Sequence, residues 1–380
     1  MKGRDKSALF VVTEDFYFLS HRLSLARFLV SEGWRVGVAC RDTGRTEEIA
    51  ACGVEWLSVP WTKSLWEPAK LVACLFALRS LLRQWGGGTI LAVSWRSILF
   101  VSIAGFGLSR LRVVNLLTGL GTLFTNNDIP FPHRVVRGVI SMLSGWLLAR
   151  PGVQTAFQNP DDMAVFSRAF SDHTTGKGLV IPGTGISVGS DCEPEPPEPP
   201  IRILYLGRFL WDKGIRELQE ACRGLRLSGC DLKLVLVGNT DPTNPKSWAQ
   251  AELDKIRGES WIELHGRTGD PLGMIRGCHI VALPSYREGF PRVLLEAGAV
   301  GRAVVTTDVP GCRSMVRHRV DGLLVPPRNA GALADALRVF CQDKTERQRM
   351  ALTFRDRVKT DFSDDIVHGL WKTVLENETR

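Results

Sequence analysis

Nine residues near the middle of the chain, Cys192-Glu-Pro-Glu-Pro-Pro-Glu-Pro-Pro200, can form neither a helix nor a central strand. Proline supplies no backbone donor and fixes φ, so a run this dense breaks any regular element. The turn-rich Ile181-Pro-Gly-Thr-Gly-Ile-Ser lies just before it. This stretch reads as a linker, and it divides the 380 residues into two halves, each long enough for its own core. The expected boundaries are 1–190, 191–362 and a last helical segment 363–380.

On both sides short apolar runs alternate with helical patterns, which makes each half an α/β unit around a parallel sheet. Strands are expected at Leu9–Thr13, Arg35–Cys40, Val54–Val59, Thr89–Ser94 and Arg112–Leu117 in the first half. In the second they fall at Ile201 up to the glycine at 207, Leu232–Val237, Trp261–His265, Ile280–Leu283, Ala303–Thr307 and Leu323–Val325. The segment after the first strand, Glu14 to Arg22, is aromatic and lacks the glycines of a dinucleotide fingerprint, so it reads as a loop and argues against a nicotinamide enzyme.

Charge is unevenly placed. Through Ser190 there are 20 Lys and Arg against 13 Asp and Glu, or +7; the remainder has 28 against 27, or +1. A basic half points to anionic partners such as lipid or diphosphate groups. No nucleic-acid module is recognisable, so nucleic acid is not an expected partner. The nine cysteines are unpaired in spacing, and Cys40, Cys74 and Cys278 sit in apolar runs as buried thiols do, which fits a reducing cytosol. The longest apolar run, Ile98–Leu108, is too short to span a bilayer, and the expectation is a soluble or peripheral protein. Two helical patterns, Glu67–Trp85 and Phe131–Arg150, serve either as core helices or as a membrane-docking surface with Arg134, Arg137 and Arg150 at the headgroups.

The chemistry concentrates in Leu283-Pro-Ser-Tyr-Arg-Glu-Gly-Phe-Pro-Arg-Val-Leu-Leu-Glu296. It reads as a strand end, a tight loop and a helix with Pro291 at its first position. Gly289 lets backbone approach a ligand, and the helix start with Phe290 and Pro291 forms an anion seat. Glu288 and Glu296 bracket that seat and suit hydroxyl groups, so a phosphate flanked by hydroxyls describes a nucleotide-sugar. The plainer reading, acids near a helix start and an Arg292–Glu296 i,i+4 pair, stands beside it. Arg208 and Lys213 flank the loop after the strand at 201, where two cations can clamp a diphosphate. Thr118, Gly119 and Gly121 form a glycine turn at the end of another strand, and Asn239 comes just after the strand at 232. No Asp-x-Asp metal motif occurs, and neither a metal nor a cofactor is expected.

As a set, Gly207-Arg208 with Lys213-Gly214, Glu288-Gly-Phe-Pro291 with Glu296, Asp308 with Gly311, and Asp321-Gly-Leu-Leu-Val325 resemble family four of the retaining GT-B glycosyltransferases. The match covers most of residues 201 to 340. The first half is similar to lipid-linked oligosaccharide and exopolysaccharide enzymes, including diphospho-undecaprenol N-acetylgalactosaminyltransferases, on fewer residues. The resemblance implies an α/β GT-B fold of two facing Rossmann-like domains with a cleft, the first for acceptor and the second for donor. It implies that Arg208 and Lys213 bind the diphosphate of a UDP-sugar, Glu288 the sugar hydroxyls and Glu296 the ribose. It implies a lipid-linked saccharide acceptor, an anionic membrane surface at the inner, cytoplasmic face, and a last helix that crosses back to the first domain. Two departures stand out: Asp15–Ser20 replaces a two-glycine loop, and Ser94-Trp95-Arg96 replaces a histidine near the donor sugar, for which His21 is a candidate substitute. A nucleotide-sugar epimerase of the same fold and a non-catalytic sugar-nucleotide-binding protein are the rival readings.

Overall fold

The computed structural model describes residues 6–62, 67–108, 111–119, 152–169, 178–190, 192, 194–242 and 244–377. The chain forms two compact units, Met1–Thr184 together with Val367–Arg380, and Gly185–Ile366. The divisions fall at 184/185 and 366/367 rather than at 190/191 and 362/363.

In the first unit the strands are β1 (Ser7–Glu14), β2 (Arg35–Arg41), β3 (Glu55–Ser58), β4 (Thr89–Val93), β5 (Arg112–Leu117), β6 (Val153–Phe157) and β7 (Gly178–Val180). They pair in parallel in the order β3-β2-β1-β4-β5-β6-β7. Its helices are α1 (Asp15–His21), α2 (Leu23–Ser31), α3 (Thr46–Ala50), α4 (Pro68–Trp85), α5 (Ser94–Ala104) and α6 (Pro160–Ala169). A parallel sheet needs crossovers on both faces, and the near-continuous Val, Leu and Ala of β1 and β4 are the consequence. The Glu67–Trp85 pattern is α4, whose Cys74, Leu78, Leu82 and Trp85 are core, while Val72 and Phe76 on its other side are exposed.

The segment after β1 is a helix, not a loop. Asp15 is wholly buried; its carboxylate accepts the Phe16 N–H at 2.6 Å, the Thr43 N–H at 2.6 Å and the Thr43 hydroxyl. It starts α1 and ties down the turn after β2 together. Phe18 then packs edge-on against Phe10 at 5.5 Å, which uses one of the aromatics that made the stretch look irregular.

The second unit holds β8 (Ile201–Leu206), β9 (Leu232–Val237), β10 (Ile262–His265), β11 (Ile280–Leu283), β12 (Ala303–Thr307) and β13 (Leu323–Val325), all parallel in the order β10-β9-β8-β11-β12-β13. Its helices are α7 (Ile215–Leu227), α8 (Gln250–Arg257), α9 (Pro271–Arg276), α10 (Arg292–Val300), α11 (Pro310–Met315), α12 (Ala330–Gln342) and α13 (Lys344–Asp361); α14 (Asp364–Glu376) follows and belongs to the first unit from Val367 on.

The proline stretch is not a free tether. Arg347 of α13 is 1% exposed in its side chain and holds Glu195 through two hydrogen bonds of 3.0 Å and Glu198 through one of 2.9 Å. Burial pushes the Glu195 carboxyl up, but the Arg347 hydrogen bond and charge outweigh it and hold the group below its ordinary value. A buried guanidinium needs such acceptors, because leaving one unpaired costs several kcal/mol.

The strand order reverses beside β8, so the loops that leave β8 and β11 lie side by side at the carboxyl edge of the sheet before the chain turns to opposite sides. Gly214, at the end of the first loop, has φ 68° and lies so close to the second that an added Cβ would stand 2.1 Å from the Pro284 carbonyl oxygen. Gly214→Ala is therefore expected to lower the unfolding free energy by about 1–3 kcal/mol through backbone strain and displacement. Gly224→Ala, inside α7 with open space around it, is expected to raise it by about 0.5–1 kcal/mol. Urea denaturation of both variants checks the pair; a Gly214→Ala protein as stable as the parent would show that the two loops are not locked.

Candidate active site

Two loops meet where the strand order of the second unit reverses. The loop after β8 carries Arg208, a short turn at Trp211–Lys213, and Gly214. The loop after β11 carries Ser285 to Pro291 before α10. A backbone bond holds them together, the Tyr286 N–H donating to the Asp212 carbonyl at 2.8 Å, and the second loop is also tied to the start of α11, where the Gly311 N–H donates to the Glu288 carbonyl at 3.2 Å. Gly311 permits the approach of α11 to that loop, since a Cβ there would lie 2.3 Å from the Gly289 carbonyl oxygen.

Across that junction Lys213 Nζ stands 2.5 Å from Glu288 Oε1, with side chains 20% and 12% exposed. The two residues are 75 apart in sequence, so only the sheet order makes them neighbours. A partly buried cation beside a carboxylate, at the carboxyl edge of a parallel sheet and near the start of a helix, can meet a group bearing both anionic oxygens and hydroxyls.

Arg208 points elsewhere. Its Nη1 lies 3.1 Å from Asp241 Oδ2, after β9, with the Arg208 side chain 62% exposed. Asn239, also after β9, accepts the Arg267 N–H at 3.0 Å through its side chain and the Phe209 N–H at 2.9 Å through its backbone. It thus ties the loops after β8, β9 and β10. The α10 helix begins at Arg292 with Pro291 as its N-cap, not as its first helical residue. Phe290 packs edge-on to Phe362 at 5.3 Å, which anchors the loop just before the helix. Glu296 is 7% exposed and pairs with Arg292 at 2.8 Å. Burial pushes its carboxyl above the ordinary 4.5, and Arg292 only partly opposes this.

This arrangement lies inside a recognised sequence family. The model of the family described as "Glycosyl transferases group 1" matches residues 192–356. Residues 192–356 form a group 1 glycosyl transferase domain.

Curated relatives agree with that domain. An N,N'-diacetylbacillosaminyl-diphospho-undecaprenol alpha-1,3-N-acetylgalactosaminyltransferase of Campylobacter jejuni is 33% identical over 149 residues, 39% of this chain and 38% of the relative. Here, and in a capsular polysaccharide glycosyltransferase of Staphylococcus aureus, the match spans less than half of the relative's length. A putative colanic acid biosynthesis glycosyltransferase of Escherichia coli, WcaL, is 25% identical over 354 residues, 88% of this chain and 84% of the relative. Among solved structures, Anabaena HepE in complex with UDP and glucose superimposes with a TM-score of 0.76 at 16% identity, over 99% of this chain and 100% of that one. A sucrose-phosphate synthase of Thermosynechococcus elongatus gives 0.77 at 19% identity, over 97% and 98%. These likenesses establish the fold, GT-B with two parallel-sheet α/β units.

Within the glycosyl transferase domain, the structure brings Lys213, Gly214, Glu288 and the Gly289–Pro291 turn together, and it directs Arg208 toward the loop after β9. Sequence reading missed Asp241 as the partner of Arg208. It also missed the Tyr286 hydroxyl donating to Glu217 Oε1 at 2.6 Å beneath the Arg328 guanidinium, 4.7 Å from the ring centroid. The Asp321-Gly322 turn is a packing feature: Asp321 is fully buried and accepts from Arg317 Nε at 2.6 Å. In the first unit Gly119 has φ 150°, a conformation that favours glycine. Gly121 and Phe131–Arg150 lie outside the described residues. His21 stacks on Tyr17 at 4.6 Å, and its Nδ1 is 2.6 Å from Ser20 Oγ.

Glu296 gives a prediction with a defined sign. Its pKa is raised in the folded state, so its contribution to stability is fully present below about 4.5 and is lost as pH rises through the folded value. Glu296→Gln removes the buried charge, and Arg292, 41% exposed, can turn to water. The variant is expected to match the parent at pH 4 and to become the more stable protein as pH rises toward 7. Thermal melts across that range check it; a variant less stable at pH 7 would mean that the ion pair outweighs burial.

Proposed function

We propose that the protein is a retaining glycosyltransferase that moves a hexose or N-acetylhexosamine from a UDP-sugar to a lipid-linked saccharide during surface polysaccharide or glycan assembly. The observation that carries the reading is the Lys213–Glu288 contact at the strand-order reversal of a group 1 glycosyl transferase domain. The names of the curated relatives and the UDP held by HepE support the same substrate classes.

The geometry suits the chemistry. Breaking the anomeric bond leaves an oxocarbenium-like sugar and a diphosphate on which negative charge grows. Lys213 and the start of α10 offer fixed positive potential to that charge, and Arg208 adds a mobile cation from the neighbouring loop. Glu288 accepts hydroxyls of the donor sugar and Glu296 those of the ribose. Because Glu288 already pairs with Lys213, a bound diphosphate competes for the ammonium and releases the carboxylate toward the sugar.

Attachment to the inner face of an anionic membrane belongs to the same proposal. The outer face of α4 supports it, with Val72 49% and Phe76 70% exposed and the exposed Arg83 two turns on. Among the described residues no helix is long and apolar enough to cross a membrane.

Lys213→Ala is expected to lower turnover by a factor on the order of 10²–10³ at saturating donor. Glu288→Gln is expected to leave UDP affinity equal or tighter, since Lys213 loses its competing anion, while transfer falls by about 10² or more. Calorimetry with UDP, paired with a radiolabelled transfer assay using a lipid-linked acceptor, reads both. Loss of UDP binding in Glu288→Gln would make that residue structural, and turnover of UDP-sugar without acceptor to an isomeric sugar would favour the epimerase.

With no Asp-x-Asp sequence to bridge a metal to the diphosphate, transfer is also expected to continue in excess EDTA. A strict dependence on added divalent metal would overturn the assignment of Lys213.

A further inference from the structure

The amino edge of the second sheet, opposite the edge that carries Lys213 and Glu288, holds two neighbouring thiols. Cys230 lies in the turn between α7 and β9, and Cys341 in the last turn of α12. The two helices pack side by side. Backbone bonds fix the chain at both places. The Cys230 N–H donates to the Leu225 carbonyl at 3.1 Å and closes the end of α7, and the Asp343 N–H donates to the Val339 carbonyl at 2.9 Å and closes the end of α12. Both cysteines line one cavity of about 370 Å³, together with Ile201 at the start of β8 and Asp231 just before β9. Each is partly exposed, so a small solute can reach it from water.

The side chains meet across this cavity. Burial pushes the Cys341 thiol up, and the charge of Cys230 and a hydrogen bond with it push in the same direction. Cys222 of α7 feels the charge of both, but it is itself wholly covered. Two thiols gain little from such a contact, because S–H is a weak donor and sulfur a weak acceptor. A covalent bond between them gains much more.

We propose that Cys230 and Cys341 form a reversible disulfide when a peroxide oxidises them, and that this bond staples the ends of α7 and α12. Because burial keeps Cys341 protonated, Cys230 meets the peroxide first. Its thiolate attacks one peroxide oxygen and the O–O bond breaks; the Cys230 proton leaves with the departing hydroxide as water, and a sulfenic acid remains. With no negative charge left on Cys230, one of the effects that held Cys341 protonated is gone. The Cys341 sulfur then attacks the Cys230 sulfur. The S–S bond forms, the S–O bond breaks, and the Cys341 proton leaves with hydroxide as a second water. Two electrons pass from the thiols to the peroxide, and a dithiol reductant returns them. A disulfide holds its sulfurs at about 2 Å. Cys230, which belongs to neither helix nor strand, is the side that adjusts.

The place of the bond gives it an effect. Both helices run from the amino edge to the site, where Glu217 in the first turn of α7 accepts the Tyr286 hydroxyl at 2.6 Å. Arg328, just before α12, covers the same ring at 4.7 Å. A bond between the far ends braces the pair of helices behind Tyr286 and leaves Lys213 and Glu288 untouched. It also closes a long loop, from 230 to 341, and so removes freedom from the unfolded chain. None of this depends on the proposed glycosyl transfer.

To test the staple, the full chain is treated with hydrogen peroxide, free thiols are blocked with N-ethylmaleimide before unfolding, and peptides are mapped by mass without reductant. A Cys230–Cys341 peptide pair is expected, lighter by two hydrogens than the separate thiols. The melting temperature is expected to rise by about 5 °C and to fall back on addition of dithiothreitol. UDP affinity is expected to stay the same. Cys341→Ser and Cys230→Ser are each expected to lose both the peptide pair and the gain in melting temperature, and either carries the test should the other fail to fold. Peroxide that leaves both thiols free, takes Cys230 on to sulfinic acid, or joins Cys230 to Cys222 overturns the pairing. A Cys230–Cys341 bond that leaves the melting temperature unchanged or lowers it overturns the staple. Weaker UDP binding by the oxidised protein overturns it as well, since the bond would then distort the helices and not brace them. A parent protein that binds no UDP in either state sinks the glycosyltransferase reading, while the peptide pair and the melting temperature still decide this one.

Discussion

A parallel strand enters its sheet at one edge and leaves at the other, so all the loops that leave the strands gather on one side. They can spread apart to admit a ligand only where the strand order reverses. In the second unit that place is fixed between β8 and β11, and in the first between β1 and β4. The positions of Lys213 and Glu288 result from this constraint. Neither residue is near the other in the chain, and no local propensity brings them together. The register of β8 on β11, Ile203 beside Ile280 and Leu204 beside Val281, sets which residues emerge at the edge. The closeness of the two loops then depends on the missing Cβ at Gly214, and the approach of α11 to the second loop on the missing Cβ at Gly311.

The ion pair at that edge is poor evidence for a stabilising role. Two partly buried charges give up hydration, and a contact of this kind is often no better than an apolar pair of similar size. Arg347 is a different case. Its charge is almost fully buried but receives two carboxylates and the Phe340 carbonyl, and the result is a proline segment fixed to the body of the second unit. The contrast separates two uses of charge in one domain. Arg347 is saturated by its own chain. Among the described residues Lys213 has a single carboxylate partner, and a ligand oxyanion can replace it without breaking the fold.

Much of the scaffold was legible because buried parallel strands are written as apolar runs. Arg112–Leu117, Leu232–Val237, Ile280–Leu283, Ala303–Thr307 and Leu323–Val325 begin and end where the sequence places them. The failures have a common cause, which is that side-chain partners distant in sequence decide the local structure. Asp15 turns an aromatic segment into α1 because Thr43 is there to bind it. Glu195 and Glu198 turn a linker into a packed strap because Arg347 lies 152 and 149 residues away. Pro291 caps α10 instead of opening it, a shift of one residue. At the site, residue types and spacing pointed to Lys213 and Glu288, but not to their pairing. The same reading placed Arg208 beside Lys213 as a joint clamp, when Asp241 draws its guanidinium toward β9.

The two sheets obey one topological rule and arrive at different chemistry, and the difference lies in the loop that leaves the central strand. After β8 come glycines, which let backbone pack on backbone and leave charged side chains to pair across the gap. After β1 there is no glycine: Asp15 starts a helix at once and the loop closes on itself. The corresponding freedom appears instead after β4, where Ser94 takes φ 74°, a left-handed conformation unusual for a residue with a side chain. Such a conformation costs energy and persists only where the surroundings impose it. Here it lies at the strand-order reversal, and α5 begins with Ser94 and carries Arg96 in its first turn. Strain in the backbone and unsatisfied donors in the side chains therefore coincide within three residues. Two separate energetic costs thus meet at the strand-order reversal of the first sheet.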